Sequence, residues 1–251
     1  DFVVSGEGEE TIPGLLRQIK SEGVESTKSK ERIIKPKRLI PDLNRPWALK
    51  EVLLKDGEYR YKDEVSRRSQ IYANLTQPDW TRSFSLYYSR GCPVHCDYCA
   101  SSERDGVKIR HAGSDRMFSD FKLLNEEYGV HIFYNQADTF GFHPEDIKFL
   151  ARVKEYRKTN SNFVLNNPNA FFVRLFFPKS KNYELDNGLV DLLSDSGFNV
   201  ITLAIETFNQ RHNHKIDFNK INKEKINDLV TAIHSRGIKA EVYMMYAFPD
   251  Q

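Results

Sequence analysis

Helix-like and strand-like patterns alternate along the chain from residue 83 onward. At three places a stretch with helical spacing of apolar residues ends in a glycine, and an apolar run starts at once. These glycines are Gly129, Gly197 and Gly237. Glycine suits the left-handed position that follows the last turn of many helices. The runs that come next are short, apolar and rich in β-branched residues, which favours buried strands.

A further helix is predicted at 145–157, because Pro144 suits its first turn and apolar residues recur inside it. A third strand is expected in the apolar runs at 163–165 and 171–177. We count five βα units after residue 83. Strands that alternate with helices of this length form parallel sheets. The pattern therefore predicts an α/β fold, with the units arranged as a partial (β/α) barrel.

The first 80 residues have a different pattern. An apolar run at 2–4 predicts the end of a strand, a glycine-rich turn follows at 5–9, and 11–20 has helical spacing. The segment 25–80 is polar and interrupted by prolines, so we expect a connector with little regular structure. A connector of this length is unusual inside one compact domain and predicts a domain boundary.

Composition and charge exclude several classes of protein. Hydrophobic residues make up 39% and charged residues 29% of the 251 residues, which excludes collagen-like and disordered chains. No apolar run approaches the roughly 18–20 residues of a membrane span, and no signal peptide is visible. The net charge of +2 gives no indication of a nucleic-acid partner.

The two ends of the chain suggest a piece of a longer protein. The sequence begins at Asp1, without Met, inside one apolar run, and it stops at Gln251 directly after another. We therefore expect further sequence on both sides. A processed or trimmed chain is the alternative.

The chemistry is concentrated in three cysteines within eight positions, Cys92, Cys96 and Cys99. An odd number at this spacing does not fit a disulfide framework and favours a reducing compartment, which predicts a cytoplasmic location. The cysteines follow the apolar run 84–88, so they are expected on the loop after the first strand, where βα folds carry reactive groups. Thiolates bind iron–sulfur clusters, and three of them can hold a four-iron cluster whose fourth iron is open to a small molecule.

Three alternatives stay open at this point. A structural zinc site could use Cys92, His95, Cys96 and Cys99, although adjacent His95 and Cys96 suit a tetrahedral site poorly and no second cysteine pair exists. A cluster that only carries electrons would use a fourth cysteine. Buried cysteines without a ligand are the remaining alternative.

The spacing of Cys92, Cys96 and Cys99 after the first strand, with Tyr98 directly before the third cysteine, resembles the radical S-adenosylmethionine superfamily. The resemblance covers residues 83–251. It implies a [4Fe-4S] cluster on the three cysteines and S-adenosylmethionine bound to the open iron. In that family an electron from the cluster cleaves S-adenosylmethionine to a 5′-deoxyadenosyl radical, which abstracts hydrogen from the substrate. A sixth βα unit, expected in the family's barrel, is missing from the sequence.

The resemblance also implies residues that help to seat S-adenosylmethionine, first of all Tyr98 and Asp138. Asp138 ends the second strand and resembles the Asp-Asp-x-Phe form of cobalamin-dependent members, with Ala137 in place of the first Asp. An Asx turn that closes the strand is the alternative. Glu206 ends the fourth strand and resembles a Gly-x-Glu-Ser stretch of the family, with Ala204 and Thr207 as the departures. A solvated strand end is its alternative.

Arg174, in the third apolar run, matches an arginine that family members often carry at the end of this strand. It is either a cofactor-binding residue or a charge on an edge strand. Lys215 stands where relatives place a lysine, and a solvated loop charge is the alternative. We assign no role to His95, His212 or His214.

The N-terminal stretch 1–11, with Gly6 and Gly8, resembles the last strand, loop and helix of a Rossmann-like cobalamin-binding domain. The resemblance implies three regions: the C-terminal tail of that domain at 1–24, a linker at 25–80 and a radical S-adenosylmethionine core at 81–251. It also implies cobalamin as a third cofactor.

The resemblance thus implies cobalamin-dependent methylation, or radical rearrangement or cyclisation, of a small molecule. An electron donor such as flavodoxin or ferredoxin is the implied partner, and no nucleic acid is expected. One alternative is a cobalamin-independent enzyme such as a methylthiotransferase acting on RNA, which would have a basic module and further cysteines. Another is a non-catalytic zinc or iron–sulfur binding module.

Overall fold

The computed structural model describes residues 2–30, 32–36, 38–44, 83–94, 96, 98–208 and 219–245. Several residues singled out from the sequence lie outside this set. They are Asp1, His95, His212, His214, Lys215, Gln251 and the part of the expected connector at 45–80.

The N-terminal segment contains more regular structure than its polar sequence suggests. Its elements are strand β1 (Val3–Val4), helix α1 (Gly8–Glu22), helix α2 (Val24–Lys30) and strand β2 (Ile33–Ile34). The predicted helix is present, but α2 and β2 lie inside the expected connector, so that expectation is wrong for residues 25–30 and 33–34. The reason is tertiary, because β2 is a strand only through parallel pairing of Val3 with Ile33 and of Val4 with Ile34.

The rest of the described chain alternates strands and helices. The strands are β3 (Ser83–Leu86), β4 (Ser89–Arg90), β5 (Arg110–His111), β6 (Ile132–Asn135), β7 (Val164–Asn166), β8 (Val200–Glu206) and β9 (Lys239–Met244). The helices are α3 (Ser101–Asp105), α4 (Ser114–Tyr128), α5 (Pro144–Arg157), α6 (Asn187–Asp195) and α7 (Lys223–His234). None of these helices, nor α1 or α2, is long and apolar enough to cross a membrane.

Five strands form a parallel half-barrel, which confirms the predicted α/β fold. Strands β3, β6 and β7 pair in that order, and β8 pairs with β9. Isolated parallel bridges from Leu165 to Phe198 and from Phe171 to Leu203 connect the two groups. The strand order along the half-barrel is therefore β3, β6, β7, β8, β9.

The helices cover the outer face of the half-barrel with an apolar core. Phe121 of α4 lies at the centre of this core, with its ring 4.6 Å from that of Phe133 and 4.9 Å from that of Phe163. The predicted glycines at the helix ends all have positive φ angles, as the left-handed position requires: Gly129, Gly197 and Gly237. Helix α5 begins at Pro144 and is capped by His143.

The third strand is shorter than predicted. It ends at Asn166, and Phe171 makes only one isolated bridge before the chain enters a 3-10 helix at Val173–Leu175. Phe171, Phe172 and Val173 are buried at consecutive positions. The bridge of Phe171 to Leu203 is not continued by Phe172 or Val173, so the chain leaves the sheet there. Phe171 and Val173 pack in one buried cluster and Phe172 packs in another.

A hairpin of β4 and β5 holds the start of the cysteine loop. Its register pairs Ser89 with His111 and Arg90 with Arg110. Gly91 follows β4 with a φ of +101°, and a Cβ atom there would collide with the carbonyl oxygen of Lys108 and lie 3.2 Å from that of Gly106. Only glycine allows this close approach.

We therefore expect Gly91→Ala to destabilise the protein more than Gly113→Ala. Both glycines have positive φ angles, but a Cβ at Gly113 would meet no atom within 4 Å. The backbone strain common to both variants costs about 1–3 kcal/mol. The collision at Gly91 adds about 1–3 kcal/mol for displacing packed atoms. Thermal melts of both variants measure the difference, and equal melting temperatures would contradict the close approach.

Candidate functional site

The three cysteines line one cavity at the carboxyl edge of the half-barrel. Cys92 and Cys96 are buried, Cys99 is half-buried, and none of the three forms a disulfide. The backbone N–H of Cys92 donates to the carbonyl of Gly106 (3.0 Å), and that of Cys99 donates to the carbonyl of Cys96 (3.0 Å). These bonds fold the loop so that the thiols border a cavity of about 320 Å³.

The wall around the cysteines is apolar. Cys92 and Cys96 pack in one buried cluster with Val94, Ala170, Phe172 and Ala204. Burial raises the pKa of the Cys92 thiol, and the nearby carboxylate of Asp138 acts in the same direction. Binding of a metal to this thiol therefore has to release a proton.

Three further predicted residues border the same cavity: Tyr98, Asp138 and Glu206. Burial, followed by the neighbouring Cys96 thiol and Glu206 carboxylate, raises the pKa of Tyr98 above its usual value. The structure thus brings six of the seven predicted site residues to one cavity. The seventh is Arg174.

Asp138 follows β6 and lies at the boundary between two cavities. Its side chain is 14% exposed and accepts hydrogen bonds from Arg104 (2.9 Å) and Asn169 (3.4 Å). Burial raises the pKa of this carboxyl group, and the Arg104 guanidinium opposes that shift. Asp138 is therefore held in place by two side chains and still borders the cysteine cavity.

Glu206 has a strained backbone. It ends β8 at an irregularity in the pairing with β9, and its φ is +63°. A residue other than glycine in this conformation costs about 1–3 kcal/mol. The carbonyl of Glu206 accepts from the N–H of Met245 (2.6 Å), which helps to hold the conformation. This strained conformation occurs at the residue whose side chain borders the cysteine cavity.

Arg174 does not border the cysteine cavity, and it is not on a strand. It lies in the 3-10 helix Val173–Leu175, with its guanidinium 4.6 Å from the centre of the Phe142 ring and 5.7 Å from that of Phe172. Burial lowers its pKa, and the Cys92 and Cys96 thiols oppose this. Arg174 therefore supports Phe172 of the apolar wall from behind.

A second, larger cavity adjoins the first. It has a volume of about 660 Å³ and lies between the N-terminal segment, at Gly6–Glu9, and the half-barrel. Asp138 and Asn169 border both cavities. Residues of the barrel that the sequence did not indicate complete its wall: Tyr87, Arg90, Arg104, Asp105 and Gln136. Burial and the Asp105 carboxylate raise the pKa of Tyr87 to about 12.

One layer of the inner barrel wall is polar. The strand registers place Ser85, Tyr134 and Asn166 side by side, and Thr202 opposite Glu241. Thr202 donates a hydrogen bond to the Glu241 carboxylate (2.8 Å). The next layer toward the carboxyl edge contains Ala204 opposite Tyr243, and Tyr243 borders the cysteine cavity. The polar layer therefore lies directly below that cavity.

Asn166 is the exceptional member of the polar layer. It is 2% exposed, and neither its side-chain nitrogen nor its oxygen has a hydrogen-bond partner among the described residues. Leaving a buried polar group unpaired costs about 1–3 kcal/mol. Sequence reasoning missed Asn166, since an asparagine after a short apolar run is typical of a turn.

The donor set fits an iron–sulfur cluster. Three thiols on one apolar wall match a cluster that leaves one iron to a ligand from outside the protein. Asp138, Glu206 and Tyr98 add oxygen atoms for a polar ligand at the same cavity. Within the described part of the chain, no group of three or more His, Cys, Asp or Glu side chains is placed to hold a single metal ion.

Comparison with known proteins gives a family match over most of the half-barrel. The sequence model of the Radical SAM superfamily matches residues 86–251. Cytidylyl-2-hydroxyethylphosphonate methyltransferase of Streptomyces wedmorensis is 24% identical over 169 residues, which are 67% of this chain and 29% of that enzyme. The chain thus spans less than a third of the length of this relative.

Solved structures of other enzymes are similar to this chain. The cobalamin-dependent S-adenosylmethionine radical enzyme OxsB, with aqua-cobalamin bound, matches 97% of this chain and 41% of its own at a TM-score of 0.53 and 12% identity. The radical S-adenosylmethionine methyltransferase TsrM of Kitasatospora setae, with cobalamin and a [4Fe-4S] cluster bound, matches 63% of this chain and 28% of its own at a TM-score of 0.48 and 15% identity. The likeness to OxsB shows a common fold.

The unpaired amide at Asn166 generates a prediction for stability. We expect Asn166→Val to stabilise the ligand-free protein by about 1–3 kcal/mol, because it removes the buried amide and places a β-branched residue in a strand. For a chain of this size the melting temperature should rise by about 2–4 °C per kcal/mol. The neighbouring change Asn167→Val is the control, since the Asn167 amide donates to the carbonyl of Ala170 (2.9 Å) and its loss should destabilise. A lower melting temperature for Asn166→Val would contradict the prediction that the buried amide destabilises the ligand-free protein.

Proposed function

The chain belongs to the Radical SAM superfamily, and from this premise we propose that it is the catalytic core of a cobalamin-dependent radical S-adenosylmethionine enzyme. The proposed reaction is methylation of a small molecule, or alternatively a radical rearrangement or cyclisation of one. The observation that carries it is the convergence of three thiols, two carboxylates and a phenol on one cavity.

In this proposal Cys92, Cys96 and Cys99 hold a [4Fe-4S] cluster. When bound, the cluster supplies the electron for reductive cleavage of S-adenosylmethionine. Asp138 and Glu206 offer acceptors for the amino and hydroxyl groups of S-adenosylmethionine, and Tyr98 orders the loop between the last two cysteines. The apolar wall around Phe172 excludes water from the cavity. Arg174 is not a cofactor ligand in this arrangement and holds that wall in place.

The larger cavity is the proposed site for cobalamin. It shares Asp138 and Asn169 with the cysteine cavity, so ligands in the two cavities would be neighbours. Its lining carries guanidinium, carboxylate and amide groups, which suits the amide side chains of a corrin ring. Support also comes from the N-terminal segment, where β1, α1 and β2 form a parallel βα unit. We propose that this segment is the C-terminal tail of a Rossmann-like cobalamin-binding domain.

The similar proteins point in the same direction. OxsB was solved with aqua-cobalamin, and its fold likeness extends over 97% of this chain, including the N-terminal segment. The relative from Streptomyces wedmorensis is named as a methyltransferase, which favours methylation among the reactions. The polar layer with Asn166, Thr202 and Glu241 offers hydrogen bonds to a small-molecule substrate.

The partners and location complete the proposal. Reductive cleavage needs an electron donor, and a flavodoxin or ferredoxin is the proposed one. Nucleic acid is not a proposed partner, because the charge of the chain is nearly balanced. A cytoplasmic location suits three cysteines without a disulfide, since thiols persist in a reducing compartment.

The cluster assignment is tested with Cys96→Ala. After anaerobic reconstitution with iron and sulfide, the wild-type protein should show the visible absorbance of a [4Fe-4S] cluster and cleave S-adenosylmethionine to 5′-deoxyadenosine with dithionite. Cys96→Ala should lose both, because a bound cluster needs all three thiolates. The control is Lys158→Ala, at an exposed position directly after α5. Retained cluster absorbance in Cys96→Ala would contradict the ligand assignment, and an iron-free wild-type protein would contradict the proposed function.

The corrinoid assignment is tested by titrating hydroxocobalamin into the protein. We expect Gln136→Trp to weaken binding at least about tenfold, since the larger side chain fills the cavity and costs more than about 1.4 kcal/mol. Gln18→Trp on α1 is the matched control. Both glutamines are half-buried and donate one hydrogen bond to a side chain, Gln136 to Ser85 and Gln18 to Glu22. Equal affinities of the two variants would exclude this cavity, and a wild-type protein that does not bind hydroxocobalamin would favour a cobalamin-independent enzyme.

A further inference from the structure

A buried carboxylate connects the N-terminal segment to the strand that leads into the cysteine loop. The Glu7 side chain is 3% exposed. Its Oε1 accepts hydrogen bonds from Arg110 (2.7 Å) and from Arg90 (3.1 Å), and its Oε2 accepts from the backbone N–H of Ile40 (2.5 Å). Both carboxylate oxygens of Glu7 therefore accept hydrogen bonds, and the donors come from three separate parts of the chain.

The two arginines that Glu7 binds stand directly opposite each other. Arg90 of β4 and Arg110 of β5 are cross-strand partners in the hairpin, and their side chains are 12% and 8% exposed. Like charges at such positions destabilise a strand pair, and burial adds to the cost. The Glu7 carboxylate accepts hydrogen bonds from both guanidinium groups, and its negative charge offsets the repulsion between them in the pairing of β4 with β5. Glu9 also binds Arg90, which balances the four charges.

This hairpin determines the position of the first cysteine. Arg90 precedes Cys92 by two residues, and Gly91 between them lies against the backbone of Lys108 and Gly106. The N–H of Cys92 donates to the carbonyl of Gly106. A displacement of Arg90 therefore moves the residue that begins the cysteine loop.

The same carboxylate stands at the wall of the larger cavity. Glu7 lies between Gly6 and Gly8, and all three border that cavity together with Arg90. Gly6 has a φ of +105°, a conformation that a side chain would strain. A ligand bound against Gly6 and Gly8 would therefore contact the segment that carries the Glu7 carboxylate, which binds Arg90.

We infer that Glu7 is a positioning residue that links the two cavities. Occupation of the larger cavity fixes the segment Gly6–Glu9, and Glu7 then fixes Arg90, Arg110 and the start of the cysteine loop. This inference rests on the proposed function, which identifies the two ligands as a corrinoid and a [4Fe-4S] cluster. Linkage is reciprocal, so the cluster should tighten corrinoid binding by the same factor as the corrinoid stabilises the cluster.

The test is a set of hydroxocobalamin titrations on the full chain, made anaerobically with and without the reconstituted cluster. In the wild-type protein the cluster should tighten binding by at least about fivefold. In Glu7→Gln the two dissociation constants should agree within about twofold, with cluster absorbance retained. Glu10→Gln, in the first turn of the helix that follows Glu7 and with its carboxylate 3.9 Å from Arg38, should keep the wild-type ratio.

Because Glu7→Gln leaves two facing cations in the hairpin, the double variant Glu7→Gln/Arg110→Gln accompanies it. This variant retains the balanced pair of Arg90 and Glu9, and it should fold and bind both ligands without the linkage. A merely structural role for Glu7 would leave the wild-type ratio intact in the folded double variant, which would overturn the inference. If the wild-type protein binds hydroxocobalamin with the same dissociation constant with and without the cluster, the linkage is overturned and the proposed function is not. No binding of hydroxocobalamin at all would overturn the proposed function and the linkage with it.

Discussion

Parallel pairing of the strands is the constraint on which the site depends. In a parallel sheet the carboxyl ends of all strands meet at one edge, so the loops after β3, β6, β7 and β8 come together. These loops and strand ends contribute the cysteines, Asp138, Asn169 and Glu206 to adjoining cavities. Residues far apart in the chain become neighbours there because the backbone hydrogen bonds of the parallel strands align the ends of those strands.

The cavities retain several features that cost stability. Glu206 has a positive φ angle, the Asn166 amide is buried without a partner in the described structure, and two arginines face each other across the β4–β5 hairpin. Such costs persist where the surrounding structure compensates for them. The apolar core around Phe121 and the Glu7 carboxylate supply that compensation. The features that cost stability lie around the two cavities, as expected for a site that is shaped to bind ligands.

The two cavities have different characters, and each suits a different ligand. The cysteine cavity has an apolar wall in which burial raises the pKa of Cys92, so a bound metal has to displace the thiol proton. The larger cavity is lined mainly by charged and amide groups that already pair with each other, such as Arg104 with Asp105 and Asp138. A large polar ligand can bind among such groups with little loss of hydrogen bonds.

Local signals in the sequence determined the α/β fold, the helix-ending glycines and the cysteine loop, because each depends on residues only a few positions apart. The choice of Asp138 and Glu206 came from the family resemblance, together with their predicted positions at the ends of strands. Only the tertiary structure decided the rest. Arg174 lies in a 3-10 helix because the pairing of the third apolar run with β8 stops after Phe171, and β2 formed because β1 lay beside it. Glu7 meets Arg90 and Arg110 across 83 and 103 positions of sequence, a separation at which no periodic pattern carries information, and their contact is fixed by the packing of the N-terminal segment on the barrel.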